Sequence, residues 1–131
     1  MFSLIGVNDL FQAEDAGELP DADELIAALD CLDEQAVQLG CTLFRSTLAP
    51  FRGSVNRAKP AWDASKERVR LAVNEYLRTR PRTVDIDLIV RDPMRPDRLA
   101  PAFDCGDHLH FSPKGGRLIG RQVYEALSTV L

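Results

Sequence analysis

The sequence predicts an α/β fold with a parallel sheet, and the main observation is that strand-like and helix-like patterns alternate three times. Its 131 residues are 45% hydrophobic and 27% charged, a composition typical of one globular domain over residues 1–131. Strands joined by helical crossovers favour parallel pairing with right-handed connections. Ligands on such sheets bind beyond the carboxyl ends of the strands.

The first strand–helix unit starts with the apolar run Phe2 to Ile5, which predicts a fully buried strand. A polar loop is predicted between this strand and the first helix. That helix has Asp21 or Asp23 as its candidate N-cap and Gly40 as the left-handed residue beyond its end. Its apolar residues recur at helical spacing and are Leu25, Ile26, Leu29, Leu32, Ala36 and Val37.

The second unit is predicted as a strand over Cys41 to Leu48 and a helix over about Ala61 to Arg78. Proline and glycine residues between them indicate a loop. The helix pattern is amphipathic, with an apolar face and a charged face toward water. The predicted apolar face carries Trp62, Val69, Ala72, Val73, Tyr76 and Leu77, and the predicted solvent face carries Lys66, Glu67, Arg70 and Glu75.

The third unit starts with a predicted strand over Val84 to Ile86, followed by a short turn at Asp87. Prolines and charges predict a surface loop over Arg91 to Pro101. The pair Ser112-Pro113 predicts the start of the last helix, because serine is a common N-cap and proline fits the first helical position. The apolar residues of that helix are Leu118, Ile119, Val123, Ala126, Leu127 and Val130.

Charge is distributed unevenly along the chain. Residues 1–40 contain ten acidic residues and no basic one, whereas residues 41–82 contain ten basic and three acidic residues. We expect the acidic segment to neutralise the basic one, which also lacks interleaved aromatic residues for stacking on bases. Nucleic acid is therefore not a predicted partner.

The cysteines and the hydropathy pattern exclude two further classes of protein. Cys31, Cys41 and Cys105 form no C-x-x-C pair, so neither a disulfide set nor a thiolate zinc site is predicted. We expect small buried residues or free thiols. No apolar run approaches the roughly 18 residues needed to cross a bilayer, and signal-peptide features are absent from the first residues. The compartment is not predicted.

The densest chemical signal lies just before the last helix, in the run Asp104-Cys105-Gly106-Asp107-His108-Leu109-His110. A carboxylate three residues before a histidine can reach the imidazole Nδ1, fix the tautomer and stabilise the imidazolium. The sequence therefore predicts Asp107 as an orienting acid and His110 as a general base. The alternative is a solvated loop in which Asp107 only caps a turn.

A second signal follows the first strand. Gly6 permits a close backbone turn, and the amide of Asn8 can donate a hydrogen bond to a developing oxyanion. Asp9 is expected to brace this loop rather than to react. An ordinary turn uses the same residue types. Because both signals follow strands, we expect Asn8 to face His110 across the ligand-binding edge of the sheet.

Two of these segments resemble motifs of one enzyme family. IGVNDL resembles the G-x-N-D block of the SGNH or GDSL-type esterases, and GDHLHFSPKGG resembles their D-x-x-H block. The intervening segments TLAPF and KERVRLAVNEYLR are similar in order and spacing, so the resemblance extends from Leu4 to about Leu127. It implies a three-layer α/β/α flavodoxin-like sandwich that hydrolyses small-molecule esters through a serine acyl-enzyme, without a cofactor.

The resemblance also implies roles for single residues. By motif position, Asn8 is an oxyanion-hole donor, Asp107 the orienting acid and His110 the base. Gly115 is expected to pack at the start of the last helix. His108 is expected to be a loop residue without a catalytic role.

The sequence departs from the family pattern at the nucleophile. Neither the G-D-S block that carries the serine nor the second-block glycine is found in these residues. Ser46 follows a strand but lacks the Gly-Asp neighbourhood of a nucleophile turn. The resemblance therefore implies the C-terminal portion of such a domain, truncated to about three strand–helix units and nearly inert toward esters by itself. Its first strand would then be an exposed apolar edge, open to self-association.

Two alternatives belong to other functional classes. Cys105, His108 and His110, with Asp104 or Asp107, have the ligand types of a transition-metal site, but no distant fourth ligand closes it. A non-catalytic interaction module could instead bind a partner strand along the first strand.

Overall fold

The computed structural model describes residues 1–130 and has three short parallel strands at its centre. Counted along the chain, they are the first, second and fifth strands, and they lie side by side in that order. Phe2 pairs with Phe44, and Arg45 pairs with Thr83. This confirms the predicted α/β class with a parallel sheet. In chain order the elements are β1 (Phe2–Ser3), α1 (Val7–Phe11), α2 (Ala22–Gln38), β2 (Phe44–Ser46), β3 (Val55–Asn56), β4 (Lys59–Pro60), α3 (Ala64–Arg78), β5 (Thr83–Val84), α4 (Ile86–Val90), β6 (Arg91–Asp92), β7 (Arg95–Leu99) and α5 (Pro113–Ser128).

Each face of the sheet has its own hydrophobic core. Helices α1, α2 and α3 pack on one face, and α4 and α5 pack on the other, which is the predicted α/β/α layering. Burial of each large apolar side chain contributes roughly 1.5–3 kcal/mol. The first core contains Leu10, Leu25, Leu48, Phe51, Val73 and Leu77, and the second contains Ala49, Val84, Ile86, Val90, Leu99 and Ile119.

The helix starts follow the local signals in the sequence. Asp21 caps α2 in a capping box, in which its side chain accepts from the Glu24 N–H at 2.8 Å and Glu24 accepts from the Asp21 N–H at 2.9 Å. Gly40 has a φ of +68°, the predicted left-handed conformation after the helix. The Ser112 hydroxyl accepts from the Gly115 N–H at 3.1 Å, which confirms the predicted start of α5.

The central strands are shorter than predicted. β1 ends at Ser3, and Leu4 and Ile5 are 45% and 48% exposed, so the predicted fully buried strand to Ile5 is wrong. β1 lies at the edge of the sheet, and within residues 1–130 no strand covers its outer side. The predicted third strand also ends early, because Asp85 accepts from the Leu88 N–H and starts α4.

Three predicted loops contain short regular elements. The segment after β1 includes α1, which is only five residues long and buries Leu10. The segment before α3 contains the β3–β4 hairpin, and the predicted surface loop over Arg91 to Pro101 contains the β6–β7 hairpin. Elements this short carry too few residues for a reliable periodic signal.

The polar face predicted for α3 is partly wrong. Lys66 and Arg70 are 7% and 0% exposed rather than solvated, and Asn74 is also fully buried. These three residues are spaced four apart, so they lie on the same helix face as the buried apolar residues. The Arg70 side chain donates to Asp87 Oδ1 at 2.7 Å in a fully buried ion pair.

The acidic first third of the chain does neutralise basic residues of the middle third, as expected. Arg45 forms ion pairs with Asp30, at 3.5 Å, and with Asp33, both in α2. Arg57 pairs with Glu14 at 2.5 Å. The three cysteines are exposed free thiols, so the alternative that they are buried is wrong. None of the helices within residues 1–130 combines the length and apolar character required to cross a bilayer.

Candidate active site

Residues that follow β1 and β2 meet the loop before α5 around a cavity of about 280 Å³. Asn8 from α1, Thr47 after β2 and His110 from the loop are its polar lining residues. The structure therefore brings the candidate oxyanion donor and the candidate base to one cavity. This cavity lies at the carboxyl ends of parallel strands, where ligands of such sheets bind.

Asp107 holds the imidazole of His110 within a tight turn. Its Oδ2 lies 2.6 Å from His110 Nδ1, and its Oδ1 accepts from the N–H groups of Leu109 and His110 at 2.9 and 2.8 Å. Two hydrogen bonds lower the pKa of Asp107 well below its ordinary value: that from the His110 ring has the larger effect, and that from the His110 N–H the smaller. Since an ionised carboxylate can only accept, Nδ1 carries a proton, and in the neutral imidazole Nε2 is then the acceptor. The Asp107 carboxylate therefore both caps the turn and binds the His110 imidazole.

Gly6 allows the chain to turn closely against the cavity wall. Its φ is +111°, and a Cβ at this position would lie 2.7 Å from Leu48 Cδ2. Asn8 and Asp9 follow in the first turn of α1, and both are exposed. In residues 1–130 the Asp9 carboxylate has no hydrogen-bond partner. Its stabilising interaction with this segment is the attraction between its negative charge and the N-terminus of α1.

Two buried polar residues of α3 fix the opposite side of this turn. The Leu48 N–H donates to Asn74 Oδ1 at 2.7 Å, and the Leu48 carbonyl accepts from Asn74 Nδ2 at 2.9 Å and from Arg70 Nη1 at 3.0 Å. From the sequence, Arg70 is predicted on the solvent face of the helix, and Asn74 is assigned to neither face. The signal that could have found them is their four-residue spacing on the apolar face of the helix.

The hydroxyl groups near the cavity are not arranged as nucleophiles. Thr47 Oγ1 donates to Asp85 Oδ1 and accepts from the Asp87 N–H, each at 2.9 Å, so this hydroxyl is engaged in holding α4. Ser46 is 4% exposed, lies outside the cavity lining, and its Oγ has no partner among residues 1–130. None of the cavity-lining residues is a serine.

His108 belongs to a different part of the loop from His110. Its Nδ1 lies 2.6 Å from Asp104 Oδ2, and it lines a separate cavity of about 230 Å³. The three residues considered as metal ligands, Cys105 and the two histidines, are therefore not gathered around one point. Within residues 1–130 the potential metal-binding atoms that do cluster belong to Asp104, Cys105 and Asp107, within 4.8 Å of one another.

The start of α5 packs closely against the segment before the loop. A Cβ on Gly115 would lie 3.0 Å from the carbonyl oxygen of Phe103 and 3.1 Å from its Cβ. The packing expected for Gly115 is therefore observed. Any larger residue would displace the helix that follows the Asp107–His110 turn.

Comparison with known proteins supports the fold. No protein-family model matches the sequence, and no curated protein sequence matches it. A GDSL-like lipase from Bacteroides thetaiotaomicron aligns at a TM-score of 0.76 and 15% identity, over 99% of this chain and 62% of that chain. A protein classed as an acylhydrolase from Bacteroides fragilis aligns at a TM-score of 0.75 and 16% identity, over 98% and 60%. The chain thus shares the fold of these proteins and spans about three fifths of their length.

Proposed function

We propose that this chain is the C-terminal part of a serine ester hydrolase of the SGNH or GDSL type. The observation that carries the proposal is that Asn8 and His110 line one cavity, with Asp107 bonded to the His110 Nδ1. The shared fold with a GDSL-like lipase supports it. Residues 1–131 contain no G-D-S block, so the proposal includes a nucleophile supplied from outside these residues.

The geometry suits acyl transfer through a serine. In the intact enzyme the serine oxygen attacks the ester carbonyl carbon while its proton moves to His110 Nε2. The carbonyl electron pair moves onto oxygen, where the Asn8 amide donates a hydrogen bond. The C–O bond then breaks, and the alcohol leaves with the proton from His110. Water repeats the sequence on the acyl-enzyme and releases the carboxylic acid.

Asp107 has a supporting role in each of these proton transfers. Because its carboxylate is ionised and bonded to Nδ1–H, it keeps Nε2 available as the acceptor. It also stabilises the imidazolium that forms in the transition state. Removing an oxyanion donor in a serine protease costs roughly 10²–10³ in kcat, so Asn8 is expected to matter as well.

The chain alone should be almost inactive toward esters. In a serine protease, loss of the nucleophile costs on the order of a million-fold in kcat, and the described cavity holds no serine. We therefore expect no measurable turnover of p-nitrophenyl acetate by the 131 residues. A fluorophosphonate probe should leave them unlabelled, and labelling at Ser46 would contradict the proposal.

Extending the reading frame upstream provides the decisive experiment. The longer product is expected to contain a G-D-S block, to hydrolyse p-nitrophenyl acetate, and to lose that activity in His110→Ala. His108→Ala is the matched control, because it removes a histidine of the same loop from a separate cavity. An active product without a G-D-S block, or near-normal turnover after His110→Ala, would contradict the assignment.

The exposed edge of the sheet favours a second role in strand pairing. β1 has a free outer edge within residues 1–130. The apolar residues that directly follow it, Leu4 and Ile5, also line the candidate active-site cavity and are about half exposed. We propose that two copies of the isolated chain pair along this edge. Sedimentation should show concentration-dependent association that Ile5→Lys weakens and Val37→Lys, at a 70% exposed site on α2, does not. A strict monomer would contradict this role.

A further inference from the structure

A buried lysine lines a second cavity, of about 390 Å³, that shares no residue with the candidate active site. This cavity lies between the segment after α1, the β3–β4 hairpin and the start of α3. Lys66 is 7% exposed on its wall. Its Nζ donates to the carbonyl oxygens of Ala13 and Ala61, both at 2.7 Å.

The Lys66 ammonium group lacks a counter-ion among residues 1–130. An ammonium has three N–H donors, and the two carbonyls accept from only two of them. Of the acidic residues on the cavity wall, Glu14 pairs with Arg57, and Asp15 and Asp63 accept from backbone N–H groups of their own turns through Oδ1. None of the three forms an ion pair with Lys66 in the described part of the chain. Burying a charge is unfavourable unless it is paired. An anionic oxygen in the cavity would supply both the counter-charge and an acceptor for the third N–H.

The backbone beside this lysine is strained. Arg57 and Ala58, at the tip of the β3–β4 hairpin, have φ values of +47° and +63°. A two-residue turn of this kind favours asparagine and glycine, which tolerate positive φ. Residues held in such conformations cluster at ligand sites. Arg57 lines the cavity, so the strained turn forms part of its wall.

The wall of this cavity combines charged residues with apolar ones. Phe11 and Leu19 are half-buried and line the same cavity as Lys66. A ligand matched to this wall carries an anionic oxygen group at one end and a short apolar tail at the other. Lys66 is the buried cation of this wall, since Lys59 is exposed and Arg57 is paired with Glu14. A carboxylate suits a single buried ammonium group, whereas bidentate recognition of phosphate favours arginine.

We propose that this cavity binds a small monocarboxylate with a short apolar tail. Its carboxylate accepts from Lys66 Nζ, and its tail lies against Phe11 and Leu19. The site is separate from the proposed ester hydrolysis, because the two cavities have no lining residue in common. Binding can therefore be measured on the chain as it is, whether or not the hydrolase assignment holds.

Hexanoate and hexanol are the matched probes, since they differ mainly in charge. Calorimetry should give a dissociation constant of about 1 mM for hexanoate, the value expected for a ligand of this size. Hexanol should bind roughly tenfold more weakly or worse, because it loses a charge-assisted hydrogen bond. Lys66→Met should reduce hexanoate affinity by about tenfold or more. Lys114→Met, at an exposed lysine on α5, should leave it unchanged.

The Tm of the unmodified chain tests the proposal even if Lys66→Met does not fold. Hexanoate at roughly ten times its dissociation constant should raise the Tm of the unmodified chain by a few degrees, and hexanol should not. Lys66→Arg, which keeps the charge, should retain part of the shift. Equal binding of hexanoate and hexanol, full affinity in a folded Lys66→Met, or tighter binding of inorganic phosphate would each overturn the proposal. Absence of any shift with hexanoate would also overturn it.

Discussion

Replacing Asp87 by asparagine tests the buried ion network that joins α3 to α4. The Asp87 carboxylate is fully buried and accepts from Arg70, Arg78 and Arg91 at 2.7, 2.6 and 3.1 Å. Asp87→Asn keeps the size of the side chain but removes its charge. Arg70, which is itself fully buried, would retain only Glu67 as a carboxylate partner, at 2.6 Å.

The expected loss follows from which arginines can reach water. The Arg78 and Arg91 side chains are 36% and 30% exposed, so water can partly replace the lost carboxylate there. Arg70 has no such access, and breaking a buried pair from one side costs roughly 3–5 kcal/mol. We therefore expect Asp87→Asn to lower the free energy of unfolding by about 3 kcal/mol, a large share of the roughly 5–15 kcal/mol of a typical domain.

Urea denaturation followed by Trp62 fluorescence and circular dichroism measures this loss. Glu14→Gln is the matched control, because it removes the same charge from the exposed pair with Arg57, whose side chain is 79% exposed. Its cost should stay below about 1 kcal/mol. If Asp87→Asn cost no more than the control, the reasoning about burial would be refuted. The double variant with Arg70→Met should lose less than the two single losses added together.

Three further predictions concern the turns around the cavity and the second helix. Gly6→Ala should destabilise the chain by about 1–3 kcal/mol in urea titrations, because alanine at a φ of +111° is strained and its Cβ would meet Leu48. The pKa of Asp107 is lowered in the folded state. Its ionised carboxylate therefore stabilises the fold at pH values above the ordinary pKa of aspartate, and this contribution is lost as the pH falls toward the folded-state pKa. Asp107→Asn should therefore flatten the acid side of the stability curve slightly, by well under about 1 kcal/mol for this half-exposed group, and should shift the His110 ring nitrogens in ¹⁵N NMR spectra. Asp21→Ala should cost about 1 kcal/mol by removing the capping box of α2, measured by thermal unfolding.

Features set by nearby residues could be predicted from the sequence. Asp21, one of the two predicted N-cap candidates, accepts from the N–H of Glu24, and Asp107 contacts the ring of His110; both partners are three positions further along the chain. The five residues of α1 and the two small hairpins are also local, but they are too short to show a period. The parallel pairing of β1, β2 and β5 follows from the general preference of strands joined by helical crossovers for parallel pairing, and it is confirmed.

The buried polar residues of α3 could not be placed from the sequence because their partners are distant along the chain. A charged residue on a helix is ordinarily solvated, so the pattern alone assigns Arg70 to water. Its burial depends on Asp87, which follows β5, and on the carbonyl of Leu48, which follows β2. Through these two contacts, Arg70 links α3 to the carboxyl ends of β2 and β5. The wall of the cavity that contains Asn8 and His110 is therefore fixed by contacts that appear only when the sheet has formed.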